Sequence, residues 1–414
     1  MDAKEFVLFR SPADKALDEQ LQVQDHDTLA TVSTSFQSNI NGGGVAIGPI
    51  SNRWNVEDKK RLKWFPKVID DTEKELAVSG YYELAGDTVM VPFHCMKGEN
   101  LGHVLWDTYL PIYHILVLFD LLPPTIDEAA DNGTNNSRQL FLMRYLLKQD
   151  PPLWGSCEGE NGNMHKCEKF FNKTLPLMGI QPERMRTTKD SVLVLKDNQK
   201  PTSKYICSPR AVAGMGLHSD HGLKLHGEWS SDYTNLHNFG RGNTLYDFRN
   251  YLMENMGLAS NQHIPASKKR KVVFSIHSSA NKERNLDFGR QIAYLKGHLA
   301  EAGMNHVEIE VYAFADHTFK EQMEIISQAT ILVTANGGGA ATSIFLPKGA
   351  SLVLFFNDKE KHRGQYETKQ PLDFDYFNNL GYIRSHWMPI SSREHQRDLK
   401  LFVSLIEKEL RSMA

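Results

Sequence analysis

The stretch ILVTANGGGAATSIFLPKGA, residues 331–350, decides the fold class of this chain. It begins with a short apolar run, continues through three consecutive glycines, and ends just before a second apolar run, SLVLFF, at residues 351–356. Short apolar runs bounded by glycine and proline are typical of strands buried in a parallel sheet. The stretch therefore predicts a strand, a tight glycine turn, and a short helix that begins at Thr342 and ends before Pro347.

Strand and helix patterns alternate on both sides of this stretch. Such alternation implies an α/β fold, in which helices cover both faces of a parallel sheet. Because 414 residues are too many for one ordinary core, we predict two lobes, at residues 1–255 and 256–414, and allow the last helix to pack back on the first lobe. The predicted strands of the second lobe are 271–276, 307–313, 331–334 and 351–356, and its predicted helices are 285–302, 319–328, 342–345 and 399–413.

The first lobe has weaker periodicity. Residues 81–93 predict two strands joined by a Gly-Asp turn. Residues 100–118 predict a helix that Pro111 kinks, because their apolar side chains recur with helical spacing. Further strands are predicted at residues 191–195 and within residues 206–216.

The charge of the chain and the length of its apolar runs argue against a nucleic-acid partner and against a membrane span. The formal net charge is −3, so we expect no nucleic-acid partner, which a strongly basic domain would indicate. The basic run at residues 268–271 precedes a strand pattern, and we interpret it as the solvated start of that strand rather than as a nuclear signal. No apolar run is long enough to span a membrane, because the longest, at residues 110–122, contains Pro111, His114 and Asp120.

The sequence leaves the cellular location open. The first residues lack the pattern of a signal peptide, which predicts either a cytosolic chain or a domain separated from its anchor. Glycosylation sequons at Asn132, Asn135 and Asn172 shift this balance slightly toward the secretory pathway. Cys157 and Cys167 flank a polar loop, where they are either a disulfide pair or free thiols.

No metal site is predicted. The chain has four cysteines but no C-x-x-C pair. Four histidines cluster in a segment without periodicity, and their spacing matches no standard zinc motif, so we interpret them as exposed loop residues. They are His218, His221, His226 and His237.

Two predicted strand ends in the second lobe carry polar residues and glycines. In an open α/β sheet, ligands bind beyond the carboxyl ends of the strands. The glycine run after residue 336 allows close approach of the backbone to a ligand, and the following helix favours phosphate at its N-terminus. Arg284, after the first strand, can donate two hydrogen bonds to a diphosphate. The glycines alone are explained equally well by a tight turn, and they match neither the Walker motif nor the dinucleotide fingerprint.

His103 and Asp107 are the acid–base candidates of the first lobe. They are spaced by four residues in a predicted helix and therefore share one face. A histidine beside a carboxylate can act as a general base. The spacing alone favours the simpler interpretation, a structural hydrogen bond between the two side chains.

Three segments together resemble the family-61 glycosyltransferases. Residues 322–350, with their glycine run and Leu-Pro-Lys-Gly-Ala ending, resemble the C-terminal signature of that family. Residues 100–107 look like its Asn-x-x-His-x-x-x-Asp helix, and residues 210–216 are similar to its inter-lobe stretch. Arg284 lies where family members usually carry an arginine. By pattern, the resemblance covers residues 90–356.

The resemblance implies a fold and an activity. The fold is two Rossmann-like lobes that face a cleft, the GT-B type, with a nucleotide-sugar donor, usually a UDP-sugar, in the second lobe. The activity is transfer of the sugar, with inversion and no obligatory metal, to a hydroxyl of a glycan or glycoprotein acceptor held by the first lobe. Members of the family usually work in the Golgi or endoplasmic reticulum lumen.

The resemblance also assigns site residues. Asn100 lies on the acceptor side, and His103 and Asp107 are the catalytic pair, one acting as base and the other orienting it. The residues predicted to bind the donor are Ser278, Arg284, Asn336, Gly337, Gly338, Gly339 and Thr342.

Three positions depart from the family pattern. Asn336 replaces the usual histidine, Gly338 the usual alanine, and His277 a common second arginine. The changes at Asn336 and His277 remove potential cationic partners of the diphosphate. They support an alternative hypothesis, a catalytically weak or inactive relative that binds a nucleotide or a glycan. A non-catalytic structural protein is a further alternative.

Overall fold

The computed structural model confirms the predicted α/β class. It contains two sheets of three or more strands, and every strand pair within these two sheets is parallel. The residues that the structure describes are 7–9, 45–48, 62–64, 67–69, 81–84, 87–93, 100–123, 139–144, 163–180, 185–187, 205–212, 242–259, 269–278, 282–358 and 377–413.

The first sheet has four strands, in the order β10-β6-β7-β8. The strands at residues 81–93 do not form the expected hairpin, because β5 pairs with β9 while β6 pairs with β7 and β10. The strand predicted at residues 191–195 lies outside the described residues. The strands of this half are β1 (Val7–Phe9), β2 (Val45–Gly48), β3 (Leu62–Trp64), β4 (Lys67–Ile69), β5 (Tyr81–Glu83), β6 (Thr88–Phe93), β7 (Gln139–Arg144), β8 (Met185–Thr187), β9 (Tyr205–Cys207) and β10 (Arg210–Ala211).

The predicted helix at residues 100–118 is present but begins differently. Its first part, His103–Tyr109, is a π-helix, which then continues into α1 (Leu110–Leu118). Pro111 lies at the start of α1, directly after the π-helical segment, and the kink at this residue stays a prediction. Two helices that the sequence pattern did not reveal follow, α2 (Asn163–Thr174) and α3 (Gly242–Asn255).

The second sheet has five strands, in the order β12-β11-β13-β14-β15. The four strands predicted for it are confirmed within one residue at each end, and β11, β13 and β14 are mostly buried, whereas β12 is an edge strand without a fully buried residue. The strands are β11 (Lys271–Ile276), β12 (Glu308–Ala313), β13 (Ile331–Ala335), β14 (Ser351–Phe356) and β15 (Arg384–Pro389), and the helices are α4 (Gly289–Glu301), α5 (Phe319–Ser327) and α6 (Gln396–Ser412).

The order of the second sheet reverses between β11 and β13. The chain moves outward from β11 to β12, then returns to the other side of β11 to form β13, β14 and β15. The segments that leave these two neighbouring strands pack on opposite faces of the sheet. In open sheets of this order, ligands bind outside the carboxyl ends of the two strands, in the place that is called the crevice below. The two strand ends chosen from the sequence, after residues 276 and 335, are the two that border this crevice.

One hydrophobic core joins the two sheets. It contains Val89 and Leu142 of the first sheet, Leu332 and Leu352 of the second, and Leu252 of α3, and each of these side chains is fully buried. Helix α3 is therefore packed between the sheets. A second core lies on the opposite face of the second sheet.

Helix α6 belongs to that second core. The ring of Phe402 lies 6.3 Å from that of Phe274 on β11 and 5.9 Å from that of Phe355 on β14. Fully burying a phenylalanine side chain contributes roughly 2 kcal/mol. These contacts anchor the last helix to the second sheet.

Some sequence predictions concern the surface. Asn172 is exposed, but it lies in α2 rather than in a loop, whereas Asn132, Asn135 and Cys157 lie outside the described residues. Nor does the structure describe the side chain of Cys167 or the four clustered histidines. Within the part of the chain that is described, no helix combines the length and the apolar character needed to cross a membrane.

Candidate active site

The loop that follows β11 is fixed by its own hydrogen bonds. His277 adopts a left-handed backbone with φ of 51°, a conformation in which histidine is found more often than most residues. Its backbone N–H donates to the carbonyl of Leu286 at 2.9 Å, and its Nδ1 lies 2.7 Å from Oδ1 of Asn285. These contacts tie His277 to Asn285 and Leu286 and hold Ser278 and Arg284 beside the glycine turn.

The turn that follows β13 requires glycine at its first position. Gly337 has φ of 121° and ψ of −161°, a region that only glycine occupies without strain. The chain then forms a 3₁₀-helix from Gly338 to Phe345. The helix therefore begins four residues earlier than the Thr342 start predicted from the sequence, and it includes two of the three glycines. Its end before Pro347 is as predicted.

The two loops contact each other directly through these glycines. A Cβ atom added at Gly337 would lie 2.7 Å from Nη1 of Arg284. One added at Gly339 would lie 2.6 Å from Cβ of Ser278 and closer still to its backbone carbonyl. The hydroxyl of Thr334, near the end of β13, donates to that of Ser278 at 3.5 Å. The glycines therefore make room for side chains of the neighbouring loop, not only for a ligand.

Arg284 carries an unsatisfied donor at this point. Its side chain is half-buried, and its Nε is fully buried without a hydrogen-bond partner among the residues that the structure describes. A buried donor without a partner costs about 1–3 kcal/mol. A positive group that bears this cost beside a crevice is suited to an anionic ligand that supplies the missing acceptor.

Two further predicted donor residues support the turn from within. The side chain of Asn336 is only 2% exposed, and its backbone N–H donates to the carbonyl of Phe355 at 2.9 Å. Thr342 is equally buried, and its hydroxyl donates to the carbonyl of Gly339 at 2.9 Å. Neither residue adds positive charge to the crevice.

The acceptor-side candidates lie in the first half of the chain, around the start of the π-helix. The side-chain oxygen of Asn100 accepts a hydrogen bond from the backbone N–H of Gly102 at 2.9 Å, so Asn100 holds the start of this helix. His103 is half-buried, and the structure describes Asp107 by its backbone alone. π-Helical segments occur frequently at functional sites. The catalytic roles of His103 and Asp107 stay predictions.

Sequence reasoning missed the residues that hold the other end of the 3₁₀-helix. Arg249 of α3 is fully buried, and its guanidinium donates to the carbonyls of Leu346 at 3.0 Å and Phe345 at 3.3 Å. Burial lowers the pKa of Arg249 from its ordinary value. The hydroxyl of Tyr382 donates to the carbonyl of Ile344 at 2.6 Å. The sequence signal that could have identified Arg249 was its position among the apolar residues of α3, where a charged side chain is unusual.

The described residues contain no group of three or more His, Cys, Asp or Glu side chains arranged to hold a metal ion. The functional groups that face the crevice are instead hydroxyls, backbone N–H groups and the guanidinium of Arg284. This set binds anions by hydrogen bonding and charge.

Comparison with known proteins identifies a family for this chain. The sequence profile of the family described as Glycosyltransferase 61 matches residues 102–353. That range includes the π-helix, α3, both loops of the crevice and the 3₁₀-helix. It covers more than half of the chain.

Curated relatives carry one common name, protein O-linked-mannose beta-1,4-N-acetylglucosaminyltransferase 2. The protein from Xenopus tropicalis is 24% identical over 277 residues, which are 66% of this chain and 38% of the relative. The protein from Homo sapiens is 27% identical over 258 residues, which are 62% of this chain and 35% of the relative. The chain thus aligns with less than two-fifths of the length of these relatives.

Among solved structures, the chain is similar to E. coli heptosyltransferase WaaC with ADP-2-deoxy-2-fluoro heptose. The identity is 8% and the TM-score is 0.28, with 77% of this chain and 99% of that chain covered. A similarity at this level carries no weight for the site, so the geometry of the crevice stands on its own contacts.

Proposed function

This chain belongs to glycosyltransferase family 61, and from that premise we propose that it transfers a sugar from a UDP donor to a hydroxyl of a glycan or glycoprotein. The transfer inverts the anomeric carbon and needs no metal. The donor lies in the crevice of the second sheet, and the acceptor lies on the side of Asn100.

One observation carries the assignment of the donor site. The buried Nε of Arg284 has no partner among the described residues, and its guanidinium lies against Gly337 at the point where the strand order reverses. A diphosphate supplies acceptor oxygens and negative charge together. It therefore satisfies the guanidinium of Arg284, which lies against the glycine turn.

The chemistry follows from this placement. The acceptor oxygen attacks C1 of the sugar while the bond from C1 to the diphosphate oxygen breaks, and UDP leaves with the electron pair. Arg284 and the backbone N–H groups of Gly337, Gly338 and Gly339, at the start of the 3₁₀-helix, stabilise the charge that develops on the leaving diphosphate. His103 or Asp107 takes the proton of the acceptor hydroxyl, and the other residue orients it. Binding donor and acceptor together supplies the necessary proximity.

The names of the relatives narrow the choice of donor to test first. Because they are named as N-acetylglucosaminyltransferases that act on O-linked mannose, UDP-N-acetylglucosamine leads the panel of donors. Because the family that the sequence resembles also includes plant xylosyl- and arabinosyltransferases, UDP-xylose and UDP-arabinose complete the panel. We propose the lumen of the Golgi or endoplasmic reticulum as the location of the activity.

The test is a calorimetric titration with UDP, GDP and ADP, followed by measurement of UDP release from each UDP-sugar in the presence of EDTA. We expect UDP to bind more tightly than GDP or ADP, and at least one UDP-sugar to be hydrolysed slowly. Asp107→Asn should bind UDP as the unchanged protein does and release UDP at least about 100-fold more slowly, the typical contribution of a general base. Glu301→Gln, which changes an exposed carboxylate at the end of α4, is the control and should match the unchanged protein in both UDP binding and UDP release.

The same experiment separates the alternative. Asn336 is buried and uncharged at the position where the family usually has histidine, which favours a relative that binds the nucleotide but turns it over weakly. UDP binding without release from any donor would support that alternative. Absence of binding by all three nucleotides would refute the donor site itself.

A further inference from the structure

The 3₁₀-helix from Gly338 to Phe345 has one end in the crevice and the other end in the core. We propose that Arg249 is a positioning residue for the donor site: it holds the core end of this helix and thereby fixes the glycine end against Ser278 and Arg284. This inference rests on the proposed function for its consequence on UDP binding, but not for its consequence on the helix.

The contacts of Arg249 are specific to the end of the 3₁₀-helix. The last carbonyls of a helix have no partner within it and need donors from elsewhere. Nε of Arg249 donates to the carbonyl of Leu346, and Nη2 donates to that of Phe345. The positive charge also interacts favourably with the negative end of the helix dipole. Tyr382 supplies a third hydrogen bond, to Ile344.

The helix is short enough to transmit a displacement. Eight residues of 3₁₀-helix span about 16 Å at a rise of about 2.0 Å per residue. Its middle residues, Ala340, Ala341 and Ile344, are fully buried in the shared core. A shift at Phe345 therefore moves the first turn, in which the N–H of Ala340 donates to the carbonyl of Gly337 at 2.9 Å.

Helix α3 ties this support to the first half of the chain. The hydroxyl of Tyr251 donates to the carbonyl of Met178 at 3.2 Å, and its ring lies 5.4 Å from that of Tyr113 on α1. Asn255 donates to the carbonyl of Leu177 at 3.0 Å. Arg249 thus connects the donor loop to the same scaffold that continues from the π-helix of His103 and Asp107.

Arginine is suited to this position in a way that lysine is not. Its planar fork reaches Leu346 and Phe345 with two different nitrogens while Nη1 donates to Oδ1 of Asn250 at 2.8 Å. A lysine ammonium is a single point donor and cannot span the same set. Arg249→Lys therefore keeps the positive charge but cannot donate to both carbonyls from two separate nitrogens.

The test compares Arg249→Lys with the control Arg290→Lys, an exposed arginine on α4 that contacts Glu394. Amide hydrogen exchange is measured first. We expect exchange of the amides of residues 338–345 to rise at least tenfold in Arg249→Lys, with β13 and β14 unchanged, and no rise in the control. UDP affinity is measured next by calorimetry, and we expect it to fall at least fivefold while circular dichroism stays native.

Each outcome decides a different question. Unchanged exchange in residues 338–345, or increased exchange with unchanged UDP affinity, overturns the positioning role. If the unchanged protein does not bind UDP, the proposed function fails, and hydrogen exchange alone decides whether Arg249 holds the helix. If Arg249→Lys does not fold, Tyr382→Phe removes one hydrogen bond from the same helix end. It should raise exchange in the same residues by a smaller factor, and no rise there would overturn the inference.

Discussion

Glu409 and Arg284, two charged groups near opposite edges of the second sheet, differ in how their buried atoms are paired. At the amino edge, where β14 and β15 begin, the carboxylate of Glu409 is 5% exposed and fully engaged. It accepts hydrogen bonds from Ser351 and, at 2.6 Å, from Nε of Arg384, and Nε2 of His386 lies 3.3 Å away. At the carboxyl edge, the buried Nε of Arg284 has no partner among the described residues.

This difference leads us to predict different roles for the two groups. Removing one partner of a buried pair leaves the other charge uncompensated, so Glu409 is sensitive to the loss of Arg384. The Nε of Arg284, which has no partner among the described residues, costs stability unless a ligand supplies an acceptor, which is the usual compromise at a binding site. We therefore predict that Arg384 contributes to stability and that Arg284 contributes to binding.

The largest expected effect comes from replacing one arginine at each edge of the sheet with alanine. Arg384→Ala leaves Glu409 without its charged partner and should lower the free energy of unfolding by about 2 kcal/mol, without changing UDP affinity. Arg284→Ala should weaken UDP binding roughly tenfold to hundredfold, as loss of a charged hydrogen bond does. Its free energy of unfolding should stay unchanged or rise. Urea denaturation and calorimetry measure both quantities on both variants.

If the two variants behaved alike, the predicted difference in role between Arg284 and Arg384 would be wrong. Equal losses of stability would mean that Arg284 is a structural residue with a partner of its own. Unchanged UDP affinity in Arg284→Ala would remove it from the donor site, whatever the result for Arg384.

A smaller effect is expected at Gly337, where the carboxyl edge combines a backbone that requires glycine with a contact to Arg284. Gly337→Ala places a side chain on a backbone with φ of 121° and against the guanidinium of Arg284. We expect the free energy of unfolding to fall by about 1–2 kcal/mol because of backbone strain, and UDP affinity to fall because the guanidinium is displaced. Gly303→Ala is the control, since Gly303 also has positive φ but has open space beside it and lies away from the crevice. It should lose stability without losing affinity.

The smallest effect is a pH dependence of the amino edge. Burial lowers the pKa of His386 below its ordinary value, helped by the charges of Arg384 and Lys408, although Glu409 opposes this change. The unfolded state therefore binds this proton more readily, so the free energy of unfolding falls as the pH is lowered through 6.5, the ordinary value, towards the pKa of the folded state.

The change of the unfolding free energy between about pH 7.5 and about pH 5 measures this contribution, because these values lie about one unit or more on either side of the ordinary histidine pKa. His386→Gln should make the decrease smaller than in the unchanged protein. His306→Gln, at an exposed histidine, is the matched control. An equal decrease in His386→Gln and in the unchanged protein would exclude the role of His386.

The contact between the two loops that follow β11 and β13 was predictable because each loop is local in sequence. The apolar runs before Ser278 and Asn336 identify buried parallel strands, and parallel strands bring their carboxyl ends to one edge. Arg284 and the glycines follow within ten residues of those strand ends. No long-range information was needed to place them together.

The supports of the site were not predictable for the opposite reason. Arg249 bonds to backbone carbonyls 96 and 97 residues away, and a backbone carbonyl leaves no mark in the sequence. Strand β15, RSHWMP, was missed because it is an edge strand with only one fully buried residue, Met388, and therefore lacks an apolar run. The 3₁₀-helix began earlier than predicted because glycine is a poor helix former in general, while here the turn at Gly337 aligns the following residues.

The contact between Gly339 and Ser278 limits how this protein can change over evolution or by design. Because a side chain at residue 339 would meet the main chain of residue 278, no replacement at Ser278 alone can restore the fit. The two loops can therefore change only in concert, by moving their backbones together. Engineering toward another nucleotide-sugar donor is best directed at positions outside the contact between Gly339 and Ser278.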